Sequence, residues 1–201
     1  MAFDCSTRAP CALVYQSELD FVSRCILDRK HIETGGELFG FWTATGIPVV
    51  LFAIGPGPKA NHRATFFNQD VDYLVRVGRR LIRQFGLQHI GEWHSHHQLG
   101  LAQPSIHDAH TMSSCIADRH LGRFIMGLGN CDETHSAFNA FEFVEGHGTA
   151  FRALPWDIKP GISPFRAAIE DDRELRELLT VPQTPVAQHG AMLLAEETWH
   201  E

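Results

Sequence analysis

The sequence predicts an α/β (mixed α+β) fold, with a central mixed β-sheet flanked by helices. Two observations carry that reading. Segments with apolar residues at helical spacing interleave with short, nearly continuous apolar runs. Glycines and prolines punctuate several of the junctions between them. No internal repeat or low-complexity tract breaks the alternation.

The first segment, 17–31, places Leu19, Phe21, Val22, Cys25, Ile26 and Leu27 near helical spacing, and Gly35-Gly36 ends it. Residues 37–42 and 48–54 read as two strands joined by a turn at Thr45-Gly46. Gly55-Pro56-Gly57-Pro58 opens a loop expected to run to Thr65. Residues 70–85 read as a second helix with Val71, Leu74, Val75, Leu81, Ile82 and Phe85 on its apolar side and Gly86 as its stop. The short run 89–94 reads as a buried strand, and 105–117 as a third helix. Late strands follow at 124–128, 137–144 and 149–154. Residues 155–164 look like a linker, and 166–179 like a charged amphipathic helix. The chain is therefore expected to divide into a domain over 1–155 and a linker with helical extension over 156–201.

Composition narrows the function. A chain of 201 residues with 44 % apolar and 20 % charged residues can build a globular core. A net charge of −7 argues against general nucleic-acid binding, which needs a basic face. No apolar run reaches the ~18 residues of a membrane span, and Met1-Ala2-Phe3-Asp4-Cys5 has no signal-peptide pattern. A cytoplasmic protein is expected. The cysteines (Cys5, Cys11, Cys25, Cys115 and Cys131) are widely spaced, without C-x-x-C, and read as reduced, mostly buried thiols.

Histidine is the anomaly: five of the thirteen (His94, His96, His97, His107 and His110) fall within residues 94–110. On an extended segment His94 and His96 point the same way, about 6.6 Å apart along the strand, and can converge on one ion. Asp108, twelve residues after His96, can return as a third ligand at the start of the next helix. Two histidines and a carboxylate leave one position open on zinc, the pattern of a catalytic site. Ser105 and Asp108 also read as a helix cap with an acid at the third position, and the two roles can coexist.

Upstream lies Glu33-Thr34-Gly35-Gly36-Glu37-Leu38-Phe39-Gly40. An acid with glycines three and seven residues later, then His94-Ser95-His96, then Ser105-x-x-Asp108, resembles the JAB/MPN+ (JAMM) zinc metalloprotease family over residues 33–108. The resemblance implies the MPN/JAB (cytidine-deaminase-like) architecture and one catalytic Zn²⁺ held by His94, His96 and Asp108. It implies Glu33 as general base and Ser105 as donor to the developing oxyanion. Glu33, not Glu37, has the family's offsets to Gly36 and Gly40. Glu92, two residues before His94 on the same side, is read as a solvated edge acid, with a supporting role to His94 as the alternative. One departure stands out. His97 replaces the family's usual proline, and the eight residues from His97 to Pro104 are one more than usual.

The function implied is hydrolysis of a peptide or isopeptide bond after the C-terminus of a ubiquitin-like protein. An extended tail would add to a sheet edge, bordered by 55–65 and 97–104. The resemblance extends to bacterial members encoded beside ubiquitin-like, E1-like and E2-like proteins, some of which act in antiphage defence. Alternatives are a peptidase trimming a sulfur-carrier protein and a catalytically silent MPN scaffold. A zinc deaminase would need H-x-E and P-C-x-x-C, which the chain lacks.

Overall fold

The structure, a computed structural model, describes residues 10–179. In chain order its elements are β1 (Ala12–Tyr15), α1 (Gln16–Leu27), β2 (Gly35–Trp42), β3 (Pro48–Ile54), β4 (Asn61–Arg63), β5 (Phe66–Asn68) and α2 (Val71–Phe85). Then come β6 (Gln88–Ser95), a single 3₁₀ turn (His97–Leu99), α3 (Ile106–Arg119), β7 (Arg123–Cys131), β8 (Ser136–Val144), β9 (Phe151–Leu154), β10 (Trp156–Lys159), α4 (Pro164–Asp171) and α5 (Arg173–Leu179). Eight strands form one mixed sheet in the order β10-β1-β3-β2-β6-β7-β8-β9, while β4 and β5 pair as a separate hairpin. The mixed α+β class expected from the sequence is the class observed.

Strand alternation sorts the core into two faces. Leu38, Val50, Trp93 and Ile125 point to the α1 side and pack with Val22 and Ile26. Phe39, Leu51 and Phe52 point the other way, against Tyr73, Val77 and Leu81 of α2. Phe124 and Met126 of β7 and Phe141 and Phe143 of β8 receive Ala109, Met112 and Ile116 of α3 on that same second face. Trp93 is buried and its indole Nε1–H donates to the Ile54 carbonyl at 3.0 Å, so its bulk and its one polar atom are both accommodated.

Local chemistry sets the helix ends. The Asp70 carboxylate accepts the Tyr73 N–H at 3.0 Å, capping α2, and Gly86 closes it in the left-handed conformation. The buried stripe of α2 is Tyr73, Val77, Gly78 and Leu81. Val71, Val75 and Ile82, expected on the apolar side, are instead 64 %, 38 % and 50 % exposed. The reason is close packing at Gly78, where the Phe39 ring comes within 3.4 Å of the position a Cβ would take.

Other expectations need correction. Residues 155–164 are not a linker: Trp156–Lys159 forms β10, which pairs in parallel with β1 in the main sheet. The expected single helix over 166–179 is two, because Asp172 adopts an extended conformation between α4 and α5. Both pack on the core through Ile169 and Leu175. The Arg166 guanidinium, moreover, donates to buried Glu18 of α1 at 2.8 Å. The expected loop 55–65 carries β4, and β1 has no counterpart among the expected strands. The remainder of the expected extension, 180–201, lies outside the described residues, as does Cys5. Cys11, Cys25, Cys115 and Cys131 are free, and burial pushes the Cys25 thiol up to about 11. Among the described residues no helix is long and apolar enough to cross a membrane.

Candidate metal centre

Strand β6 lies between β2 and β7 in the middle of the sheet. Because Trp93 faces α1, its neighbours Glu92 and His94 face the α3 side. Past the end of β6 the His96 N–H donates to the Gly129 carbonyl at 2.8 Å, which holds the chain beside β7 for one more residue. His96 thereby turns back toward His94, with 3.3 Å between their Nε2 atoms.

Asp108 arrives from α3. Ser105 is the N-cap: its Oγ accepts the Asp108 N–H at 3.1 Å, and its own N–H donates to Asp108 Oδ2 at 2.8 Å. This reciprocal capping box fixes the carboxylate. Oδ2 then lies 3.3 Å from His96 Nε2, and Oδ1 lies 3.6 Å from His94 Nε2. All three ligand atoms fall within 4.8 Å of one another.

These separations fit a metal ion. With bonds of about 2.0–2.1 Å, neighbouring donors around a tetrahedral ion stand about 3.3 Å apart. The protonation pattern fits as well. His96 Nδ1 lies 3.2 Å from the Leu101 carbonyl, which can only accept, so Nδ1 carries the proton and Nε2 keeps its lone pair for an ion. The His94–His96–Asp108 group can therefore hold a metal ion. Burial alone would raise the Asp108 carboxyl, but the hydrogen bonds of His94 and His96, the charge of His94 and the Ser105 bond hold it far below the usual carboxylate range. Burial likewise disfavours the charged form of His96, yet the hydrogen bonds to Asp108 and the Leu101 carbonyl and the charges of Asp108 and Glu33 together outweigh it and raise the imidazole.

Glu33 sits just before β2, where its N–H donates to the Arg63 carbonyl at 2.8 Å. It lines the same cleft of about 590 Å³ as His94, His96, Ser105 and Asp108. Burial raises its carboxyl, and the charges of His94 and His96 act in the opposite direction. All five residues singled out from the sequence are therefore brought to one cleft.

Glu37 and Glu92 also line the cleft, paired across β2 and β6. Glu37 accepts a 2.6 Å hydrogen bond from His89. Glu92 is no solvated edge acid, since β6 is central and half buries it. Burial, followed by the charge of Glu37, pushes its carboxyl up to about 7.

The rim comes from two places. Thr65, Phe66, Phe67 and Asn68 of the β4–β5 hairpin form one wall, and Leu99 at the end of the 3₁₀ turn and Leu101 beyond it form another. Both expected borders, 55–65 and 97–104, thus contribute, the first chiefly through its end and the residues beyond it. Of the other clustered histidines, His107 lines the cleft, His110 is exposed, and His97 is buried. The part His97 plays was missed by sequence reasoning. Its imidazole Nε2 reaches the Ala64 carbonyl, 2.8 Å away and 33 positions earlier in the chain.

Neither a protein-family model nor a curated protein matches this chain. Among solved structures it is similar to the solution structure of protein DSY2949 from Desulfitobacterium hafniense. The TM-score is 0.55 at 14 % identity, covering 75 % of this chain and 94 % of that one. At that identity the likeness is one of fold.

Proposed function

We infer that this chain is a zinc-dependent peptidase or isopeptidase of the JAMM type, cleaving after the C-terminal tail of a ubiquitin-like protein. One observation carries the reading: a tetrahedron-sized His94–His96–Asp108 triangle shares a cleft with the carboxyl of Glu33. A closed structural site would take four protein ligands, whereas three leave a position for chemistry.

A zinc ion held by His94, His96 and Asp108 would supply Lewis-acid polarisation of water and of the scissile carbonyl. Glu33 takes the proton of the attacking water and passes it to the leaving amine. Its raised affinity for a proton suits that second half of the task. Ser105 Oγ accepts from Asp108 N–H, which leaves its own hydroxyl proton free to donate to the oxyanion. Water attacks directly, and no residue forms a covalent intermediate.

The substrate is an extended chain in this reading. Phe66 of the hairpin wall and Leu99 and Leu101 of the other wall expose 43 %, 51 % and 50 % of their surfaces and leave apolar contact area at the cleft for such a chain. An extended tail would lie along the hairpin's free edge with its backbone groups paired. E1-like and E2-like operon partners and a place in antiphage defence follow from the sequence resemblance alone.

The test is a panel of ubiquitin-like and sulfur-carrier fusions incubated with the zinc-loaded chain, with and without chelator. Chelator-sensitive cleavage after the tail, abolished in Glu33→Gln while metal content stays at one per chain, is the expected result. Full activity of Glu33→Gln removes the base assignment. A metal-loaded wild type that cleaves nothing in the panel favours the silent scaffold.

A further inference from the structure

The β4–β5 hairpin is outside the main sheet, yet it is tied to both halves of the metal centre. On one side it grips the residue that carries the base: the Glu33 N–H donates to Arg63 O at 2.8 Å, and His62 Nδ1 lies 2.9 Å from Glu33 O. On the other side its tip is gripped by the residue after a ligand, with His97 Nε2 2.8 Å from Ala64 O. A carbonyl only accepts, so His62 carries its proton on Nδ1 and His97 carries its proton on Nε2. His97 is buried and takes a positive φ of 38°, a conformation uncommon for a side-chain-bearing residue.

Packing adds a third tie. The Phe67 ring lies 2.5 Å from where a Cβ on Gly35 would stand, so the hairpin sits in space that only glycine leaves open. The His62 and Phe67 rings are 5.4 Å apart between centroids.

We propose that His62 and His97 are positioning residues that clamp the hairpin between the Glu33 segment and the His96 loop. The base, the ligand loop and the substrate-facing wall are thereby held as one rigid unit. The effect on turnover rests on the reading of Glu33 as the base, whereas the clamp itself does not.

Four variants test it in the full-length chain. His62→Phe keeps a ring against Phe67 but removes the donor, and His62→Asn returns a donor near the Nδ1 position. His97→Asn tolerates the positive φ but falls short of Ala64, and His97→Gln places a donor near the Nε2 position. Hydrogen exchange at amides 61–68 should quicken about tenfold in His62→Phe and His97→Asn, the loss expected for one hydrogen bond. It should stay near wild type in the two rescue variants, with one zinc per chain throughout. On a cleaved fusion, His62→Phe should lower kcat with KM nearly unchanged, and His62→Asn should restore it. Wild-type exchange rates in both His62→Phe and His97→Asn overturn the clamp. A wild-type chain without peptidase activity removes the peptidase reading, and the exchange comparison still decides the clamp.

Discussion

Ser105 and Asp108 hold each other through two hydrogen bonds, and the Asp108 oxygen that accepts the Ser105 N–H at 2.8 Å is the one that faces His96 at 3.3 Å. One carboxylate thus completes the capping box and forms a corner of the candidate metal site. The Ser105 hydroxyl has a structural duty besides any catalytic one.

Ser105→Ala separates the two duties. Losing the cap should cost about 1 kcal/mol of stability in a denaturant titration. Losing the oxyanion donor should lower kcat by roughly 10²-fold. A stability loss with full activity would show that the hydroxyl only caps.

Metal binding should depend on every corner of the triangle. His94→Ala and His96→Ala each leave two protein ligands, and metal analysis should find neither variant stoichiometrically loaded. In the wild type, free zinc at a hundred times its dissociation constant should stabilise the fold by about 2.7 kcal/mol, read as a rise in Tm. One zinc per chain retained in both variants would refute the ligand set.

The Glu37–His89 pair gives a pH signature away from the ligands. Burial disfavours the charged imidazole, but the Glu37 charge and hydrogen bond overcome it, so His89 titrates above its ordinary 6.5. A group raised in the folded state contributes fully below its unfolded value and loses that contribution as pH rises through the folded one. Glu37→Gln should therefore cost about 1–2 kcal/mol near pH 6 and progressively less above 6.5. Glu92, pushed up to about 7 partly by Glu37, ionises through the same window and sharpens the trend. Equal stability losses at pH 6 and pH 9 in thermal melts would contradict this.

Gly36 explains one of the two glycines in the upstream motif by close approach. A Cβ there would stand 1.9 Å from the Ile54 carbonyl oxygen and 2.7 Å from the indole nitrogen of Trp93. Neither neighbour can retreat freely, because one is strand backbone and the other is hydrogen-bonded to it. Gly36→Ala should destabilise by about 1–3 kcal/mol. An unchanged denaturation midpoint would rule that contact out as a constraint.

The parts of the fold visible in the sequence are those with local causes. Asp70 and Gly86 bound α2 through contacts within a turn, and His94, His96, Ser105 and Asp108 sit in a register that local geometry brings together. The parts that escaped depend on distant partners. Ala12–Tyr15 and Trp156–Lys159 are four-residue runs whose strand character comes from pairing with each other across the length of the chain. The apolar face of α2 was misjudged because Gly78 offers no hydrophobic signal, although it admits Phe39. The contact of His97 escaped because the carbonyl it grips lies 33 positions away, in a hairpin hidden in a polar stretch.

The backbone beside the site carries a last consequence. Ser95 N–H donates to the Thr34 carbonyl at 2.7 Å, and Thr34 N–H donates to Ser95 Oγ at 3.2 Å. Thr34 adjoins Glu33, and Ser95 stands between His94 and His96. The gap between the Glu33 segment and the His94–His96 segment is accordingly set by one inter-strand rung, about 4.8 Å wide. The 3₁₀ turn after His96 lies outside that rung. The spacing between Glu33 and the His94–His96 pair is therefore a property of the central sheet, not of the cleft's rim.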